Sequence, residues 1–206
     1  MYGKGKMTEL GPIKSRKRSG KEGFLDAGIS LGFDILDFWQ WSMSDIVSNA
    51  TRGILAEFIV AQAIEVAQKS VREEWAAYDL ESISGIKIEV KSAAYLQSWQ
   101  QKEFSKINFR TPKTLEWSKE TNLQSNEARR QADVYVFALL AHKEQLTLNP
   151  LDVSQWEFYV LPTSVLDSRK RSQHSITLPS LRKLALPIKY YELNEAIEFA
   201  GNAKKG

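Results

Sequence analysis

The chain has 206 residues, 43% hydrophobic and 26% charged, with a net charge of +3. That composition belongs to a globular protein able to bury a core within one domain. It holds no cysteine, which excludes thiol catalysis, zinc–thiolate centres and disulfide frameworks, and which suits a reducing, cytoplasmic setting. No apolar run approaches the ~20 residues of a membrane span, and the first residues lack the apolar core of a secretion signal.

Residues 1–22 carry Lys4, Lys6, Lys14, Arg16, Lys17, Arg18 and Lys21 against Glu9 and Glu22, a net +5 that exceeds the charge of the whole chain. This segment is glycine-rich and nearly without large apolar side chains, and residues 1–30 read as a basic, flexible tail, either a solubilising leader or a phosphate-binding arm. Residues 31–206 read as a single domain. The stretch Phe33 to Trp41, with Ile35, Leu36, Phe38 and Trp39, reads as an apolar lead-in that packs ahead of the first long helix. That helix is expected to begin near Asp45 or Thr51, both good caps, and to run to about Lys69. Leu55, Phe58, Ile59, Ala63 and Val66 are its core positions by helical period. Asn49-Ala50-Thr51 matches a glycosylation acceptor, which without a secretion signal is chance.

Trp75 to Leu80 then reads as a short strand, residues 81–85 as a turn, and Ile86 to Ala93 as a second strand. In the latter Ile86, Ile88 and Val90 alternate with Lys87, Glu89 and Lys91, the period of a half-buried strand. Phe104 to Phe109 is expected as a third strand, followed by an irregular stretch from Arg110 to Arg130. Ala132 to Ala141 and Trp156 to Leu161 have the apolar run of buried strands, and Leu193 to Ala200 reads as a helix. The order implies an α/β protein with a mixed central sheet flanked by helices.

Glu89 and Lys91 are two residues apart, so both side chains stand on one face of their strand. An isolated Glu-x-Lys on a solvated strand needs no explanation beyond solubility. Two features add to it here. Lys91 alone among eighteen lysines has an acidic residue two positions earlier, and Asp79 ends the preceding strand ten residues before Glu89. A short turn would bring the two carboxylates together. Such a trio suits phosphodiester hydrolysis: hard carboxylate oxygens hold Mg²⁺ and leave positions for water and phosphate, the metal acidifies that water, and an ammonium stabilises the charge of the transition state.

Asp79, a turn, then Glu89-Val90-Lys91 on the next strand resembles the PD-(D/E)XK nucleases of the restriction-endonuclease-like fold, with Tyr78 standing where the pattern has proline. The resemblance spans about residues 50–95. It implies a metal-dependent nuclease, most directly a DNA endonuclease using Mg²⁺ with Mn²⁺ as substitute. Asp79, Glu89 and the carbonyl of Val90 are the implied ligands, and Lys91 the implied water-orienting group. It also implies a further acid from the preceding helix, a position that Glu57 matches. By helical angle Glu57 shares its face with Ala50, Gly53, Ile54, Ala61 and Ile64, where an unpartnered carboxylate is costly. A homodimer is compatible with a single domain acting on DNA. One alternative is a catalytically silent nuclease fold that binds DNA or serves in assembly. The other is a purely structural protein, with Asp79 far from Glu89 and Glu57 in water.

Other features carry less. Tyr95, Gln97, Trp99, Gln100, Gln101 and Lys102 read as a polar helix face over aromatic core, or as one side of a nucleic-acid groove. Arg110, Lys113, Lys119, Arg129 and Arg130 are equally well phosphate contacts or solvated surface. The six tryptophans suit the core. His142 and His174 are isolated, and neither a nucleophile elbow nor a Walker loop occurs.

Overall fold

A computed structural model describes residues 11, 13–69, 71–74, 76–115, 117–118, 123–170 and 173–203. Lys4, Lys6, Glu9, Trp75 and Lys119, each part of an expectation above, lie outside these residues. In chain order the elements are β1 (Gly23–Asp26), β2 (Ile29–Asp34), α1 (Ile35–Met43), α2 (Asn49–Ala63), β3 (Leu80–Glu81), β4 (Lys87–Ala94) and β5 (Asn108–Arg110). Then follow β6 (Trp117–Ser118), β7 (Leu123–Gln124), β8 (Val134–Leu140), β9 (Trp156–Pro162), α3 (Thr163–Asp167), β10 (Ser175–Thr177), α4 (Leu178–Leu181) and α5 (Leu193–Asn202).

The central sheet has the order β3-β4-β8-β9. β3 and β4 are antiparallel, β4 and β8 parallel, β8 and β9 antiparallel, which gives the expected mixed sheet. All seven residues of β8 are buried, as a strand covered on both faces requires. Each large apolar side chain so removed from water is worth roughly 1.5–3 kcal/mol. On one face Ile88, Val90, Val134, Val136 and Phe158 pack against α2 and α5 through Ala56, Val60, Leu193 and Ile197. On the other, Tyr135, Phe137, Leu139 and Tyr159 meet Phe109, Leu166, Ile176 and Leu181, supplied by the β5–β10 pair, α3 and α4.

Register between β4 and β8 is held at its start by Asp133, whose N–H donates to the Lys87 carbonyl at 2.8 Å while its carboxylate accepts from the Lys87 N–H at 3.1 Å. The β3–β4 turn closes through Ser82 N–H to the Ile86 carbonyl at 2.9 Å, with Gly85 at φ +84°, a conformation that favours glycine. α5 lies so close to β4 that a Cβ on Gly201 would meet Ile86 Cγ1 at 2.7 Å.

Several local expectations are corrected. The strand expected over residues 75–80 shrinks to its last residue and extends one further, as Leu80–Glu81, because only these two continue the ladder with β4; residues 77–79 are bends, and Asp79 reaches β4 through single bonds to Ile88 and Val90. Phe58 is half exposed on α2, since Ala56, Ile59 and Val60 take the inward positions. Residues 35–43 do form a helix, but none of its side chains is buried. Residues 95–102 are not helical: Gln97 and Gln101 bond Tyr95, Ala94 and Ser105 instead, side-chain amides competing with a helical backbone. Arg130 is withdrawn from the surface, with its guanidinium on Asp167, the Thr111 carbonyl (2.8 Å) and the Gln173 carbonyl (2.6 Å). It is a clamp between loops, as charge burial requires such partners.

Candidate active site

β4 sets the site. Its alternation places Ile88 and Val90 in the α2/α5 core and turns Glu89 and Lys91 to the opposite face, half-buried. Lys91 Nζ donates to a Glu89 carboxylate oxygen, so the two side chains expected to share a face do meet. Asp79 stands at the open edge of the sheet, where β3 has not yet begun. Its N–H donates to the Ile88 carbonyl at 3.0 Å, and its carboxylate Oδ2 accepts from the Val90 N–H at 2.7 Å. The turn therefore brings Asp79 against the Glu89–Lys91 segment. Since the N–H and C=O of one strand residue point the same way, the Val90 carbonyl also faces this edge, beside Asp79.

The electrostatics follow from the crowding. The Asp79 carboxyl is pushed up to about 7, first by burial and then by the negative charges of Glu89 and Glu57. The Val90 N–H and the Lys91 ammonium oppose that rise without cancelling it. The centre thus holds more negative charge than its own cations balance.

Glu57 approaches from α2 in the neighbouring layer, near enough for its charge to act on Asp79. Its side chain is 13% exposed, and both oxygens are taken by Arg72, at 2.5 Å from Nε and 3.1 Å from Nη2. It is not a solvated surface glutamate, and Asp79 is not remote from Glu89, so the geometry departs from the purely structural alternative on both counts. Sequence reasoning missed Arg72, fifteen residues from its partner and in no periodic relation to it. It also missed Tyr135, whose register partner across the parallel pair is Glu89. Burial and the Glu89 charge hold the Tyr135 phenol well above its usual range, hence protonated beside the site.

A cleft of about 840 Å³ adjoins the site on the Asp79 side, lined by Ile54, Phe58, Val71 and Tyr78 together with Glu57, Arg72 and Asp79 but not by Glu89 or Lys91. Among the described residues, no group of three or more histidine, cysteine, aspartate or glutamate side chains is placed to hold a metal ion. The donors offered at the strand edge are two carboxylates and one backbone carbonyl. That set suits Mg²⁺, which takes one or two carboxylates and fills its remaining positions with water and phosphate.

The fold is a mixed α/β sheet, with Asp79, Glu89 and Lys91 drawn together at the β3–β4 edge. The sequence model of the bacteriophage T4 endonuclease IV family matches residues 35–179, most of the chain and all four acidic and basic residues of the centre. The chain belongs to that family: it is a nuclease, and its substrate is nucleic acid. No curated protein is significantly similar to it. No helix among the described residues is long and apolar enough to cross a membrane.

Proposed function

We propose that the chain is a metal-dependent DNA endonuclease of the PD-(D/E)XK kind, with Asp79, Glu89 and Lys91 at its centre. The observation that carries this reading is Asp79. It is a half-buried carboxyl bonded to the Val90 N–H, next to a Glu-x-Lys pair and raised by desolvation and by two other acids. Asp79, Glu89 and the Val90 carbonyl would hold Mg²⁺, or Mn²⁺ in its place. The ion would act as Lewis acid towards the phosphate and lower the pKa of its water.

The chain's own groups do the rest. Lys91, paired with Glu89, keeps an ammonium beside the reacting phosphate, where it orients the attacking water and offsets developing negative charge. Arg72 fixes both oxygens of Glu57, so Glu57 supports the negative field around Asp79 from a held position. Its role as a direct ligand would require Arg72 to release it. Tyr135, protonated, offers a hydroxyl on the face that Glu89 occupies.

The test is cleavage of supercoiled DNA, linear DNA and RNA with Mg²⁺, with Mn²⁺ and with EDTA. The expected result is internal cleavage of DNA with either metal and none with EDTA. Undiminished cleavage in EDTA would contradict metal dependence, and cleavage of RNA alone would contradict the DNA assignment. DNA binding without cleavage under every condition would point to the silent module.

A further inference from the structure

Residues 20–43 form a unit set apart from the central sheet. β1 pairs with β2, Phe24 lies on Phe33 with ring centroids 4.8 Å apart, and the Gly20 backbone passes beneath Trp39 and Leu36. Among the described residues its backbone bonds stay internal, with Ile35 N–H donating to the Glu22 carbonyl and Leu36 N–H to the Gly20 carbonyl. α1 is closed by a capping box between Asp34 and Asp37. Yet α1 buries no side chain, and β1 and β2 are exposed at every position except Asp34. A lone hairpin is marginal in water, and so is a helix of nine residues. Such a unit needs an apolar surface laid over it.

Ten large apolar side chains here are at least 36% exposed, from Trp39 at 36% to Trp41 at 85%. Together they present roughly 1,000 Å² at the area typical of such side chains. That exceeds the ~300–600 Å² of the largest apolar patch on an ordinary monomer, and it meets the ~800 Å² per partner of a stable interface. The unit's charge narrows the occupant. Residues 23–43 contain Asp26, Asp34 and Asp37 and no basic residue, and the Lys21 that precedes them is matched by Glu22. The apolar face therefore offers no cation to a nucleic-acid phosphate or an anionic membrane surface. Asp34 and Asp37 are engaged in the helix cap, so the exposed face itself is nearly charge-free. A patch without charges to complement is suited to its own copy, because a twofold contact sets the same surface on both sides.

We propose that the β1–β2–α1 arm is a homodimerisation element in which two arms pack about a twofold axis. Ile29, Leu31, Phe38 and Trp41 form the seam. The proposal is independent of the nuclease chemistry, and its test reads mass. Light scattering on the full chain at tens of micromolar is expected to give twice the chain mass of 23.5 kDa. The double variant Ile29→Glu/Trp41→Glu is expected to give 23.5 kDa with the thermal transition of the sheet domain retained.

Because the chain lacks cysteine, an Ile29→Cys variant is the sole thiol in an otherwise native protein. A short bis-maleimide should join two copies through it, whereas Leu146→Cys, exposed on the sheet domain, should stay unlinked. A monomeric wild type overturns the proposal, whether the arm folds onto its own chain or awaits another protein. So does a dimer that survives the double substitution with Ile29→Cys unlinked.

Discussion

Asp79 carries a conflict between folding and charge. Its carboxyl is raised to about 7 from an ordinary value near 3.8, by burial first and then by Glu89 and Glu57. The folded protein therefore keeps a proton that the unfolded chain releases above pH ~4. By linkage, this group's contribution to stability is full below about pH 4 and is lost as pH rises through about 7. Metal-free protein is expected to lose on the order of a few kcal/mol between pH 5 and 8, read as a falling denaturation midpoint. Asp79→Asn should flatten that slope and be the more stable form at pH 8. Mg²⁺ should restore wild-type stability at that pH, since a cation relieves the repulsion. A wild-type slope that Asp79→Asn leaves unchanged would place the conflict elsewhere.

β4 and its neighbours show what an element contributes beyond its own residues. Its polar face makes the site only because its apolar face is locked by α2 and α5, and α5 achieves its approach through Gly201 against Ile86. A methyl group there meets Ile86 Cγ1 at 2.7 Å and Cγ2 at 2.9 Å. Overpacking of that kind costs ~1–3 kcal/mol, while alanine regains ~1 kcal/mol of helix propensity. Gly201→Ala is expected to lower stability by about 1 kcal/mol in urea titration and to slow cleavage by shifting β4. Higher stability in the variant would mean that Ile86 yields without strain.

The elements legible in the sequence were those whose period matches their burial: the alternation of β4, the unbroken apolar run of β8, the helix at α5. Others depended on contacts between distant residues. Of the expected strand only Leu80 enters the ladder with β4, joined there by Glu81 from the expected turn, and the segment after β4 is shaped by Gln97 and Gln101 reaching back to Ala94 and Tyr95. Apolar content in residues 33–41 was readable, but its exposure was not. Hydrophobicity indicates that a surface needs cover without saying which surface supplies it. At the site, Glu-x-Lys and the preceding aspartate were visible as spacing, whereas the tie of Arg72 to Glu57 and the placing of Tyr135 beside Glu89 arise only from the packed layers.

For the whole molecule, the proposed centre is an outcome of topology. Asp79 comes from the sheet edge, Glu89 and Lys91 from the adjoining strand, and Glu57 with Arg72 from the helical layer. Tyr135 comes from the strand beyond, reached through a crossover of residues 95–133. The parallel β4–β8 pairing fixes which residues oppose one another, and the start of β3 only at Leu80 leaves the β4 edge at Val90 to the Asp79 side chain. The most direct measurement of the central claim is the single-turnover rate of DNA cleavage with Mg²⁺ for wild type, Asp79→Asn, Glu89→Gln and Lys91→Met. Fold and DNA affinity should be checked in each variant. Every substitution is expected to lower the rate by at least about 100-fold, with affinity in EDTA unchanged within a few-fold. Cleavage at the wild-type rate by any of the three, purified free of contaminating nuclease, would contradict the claim.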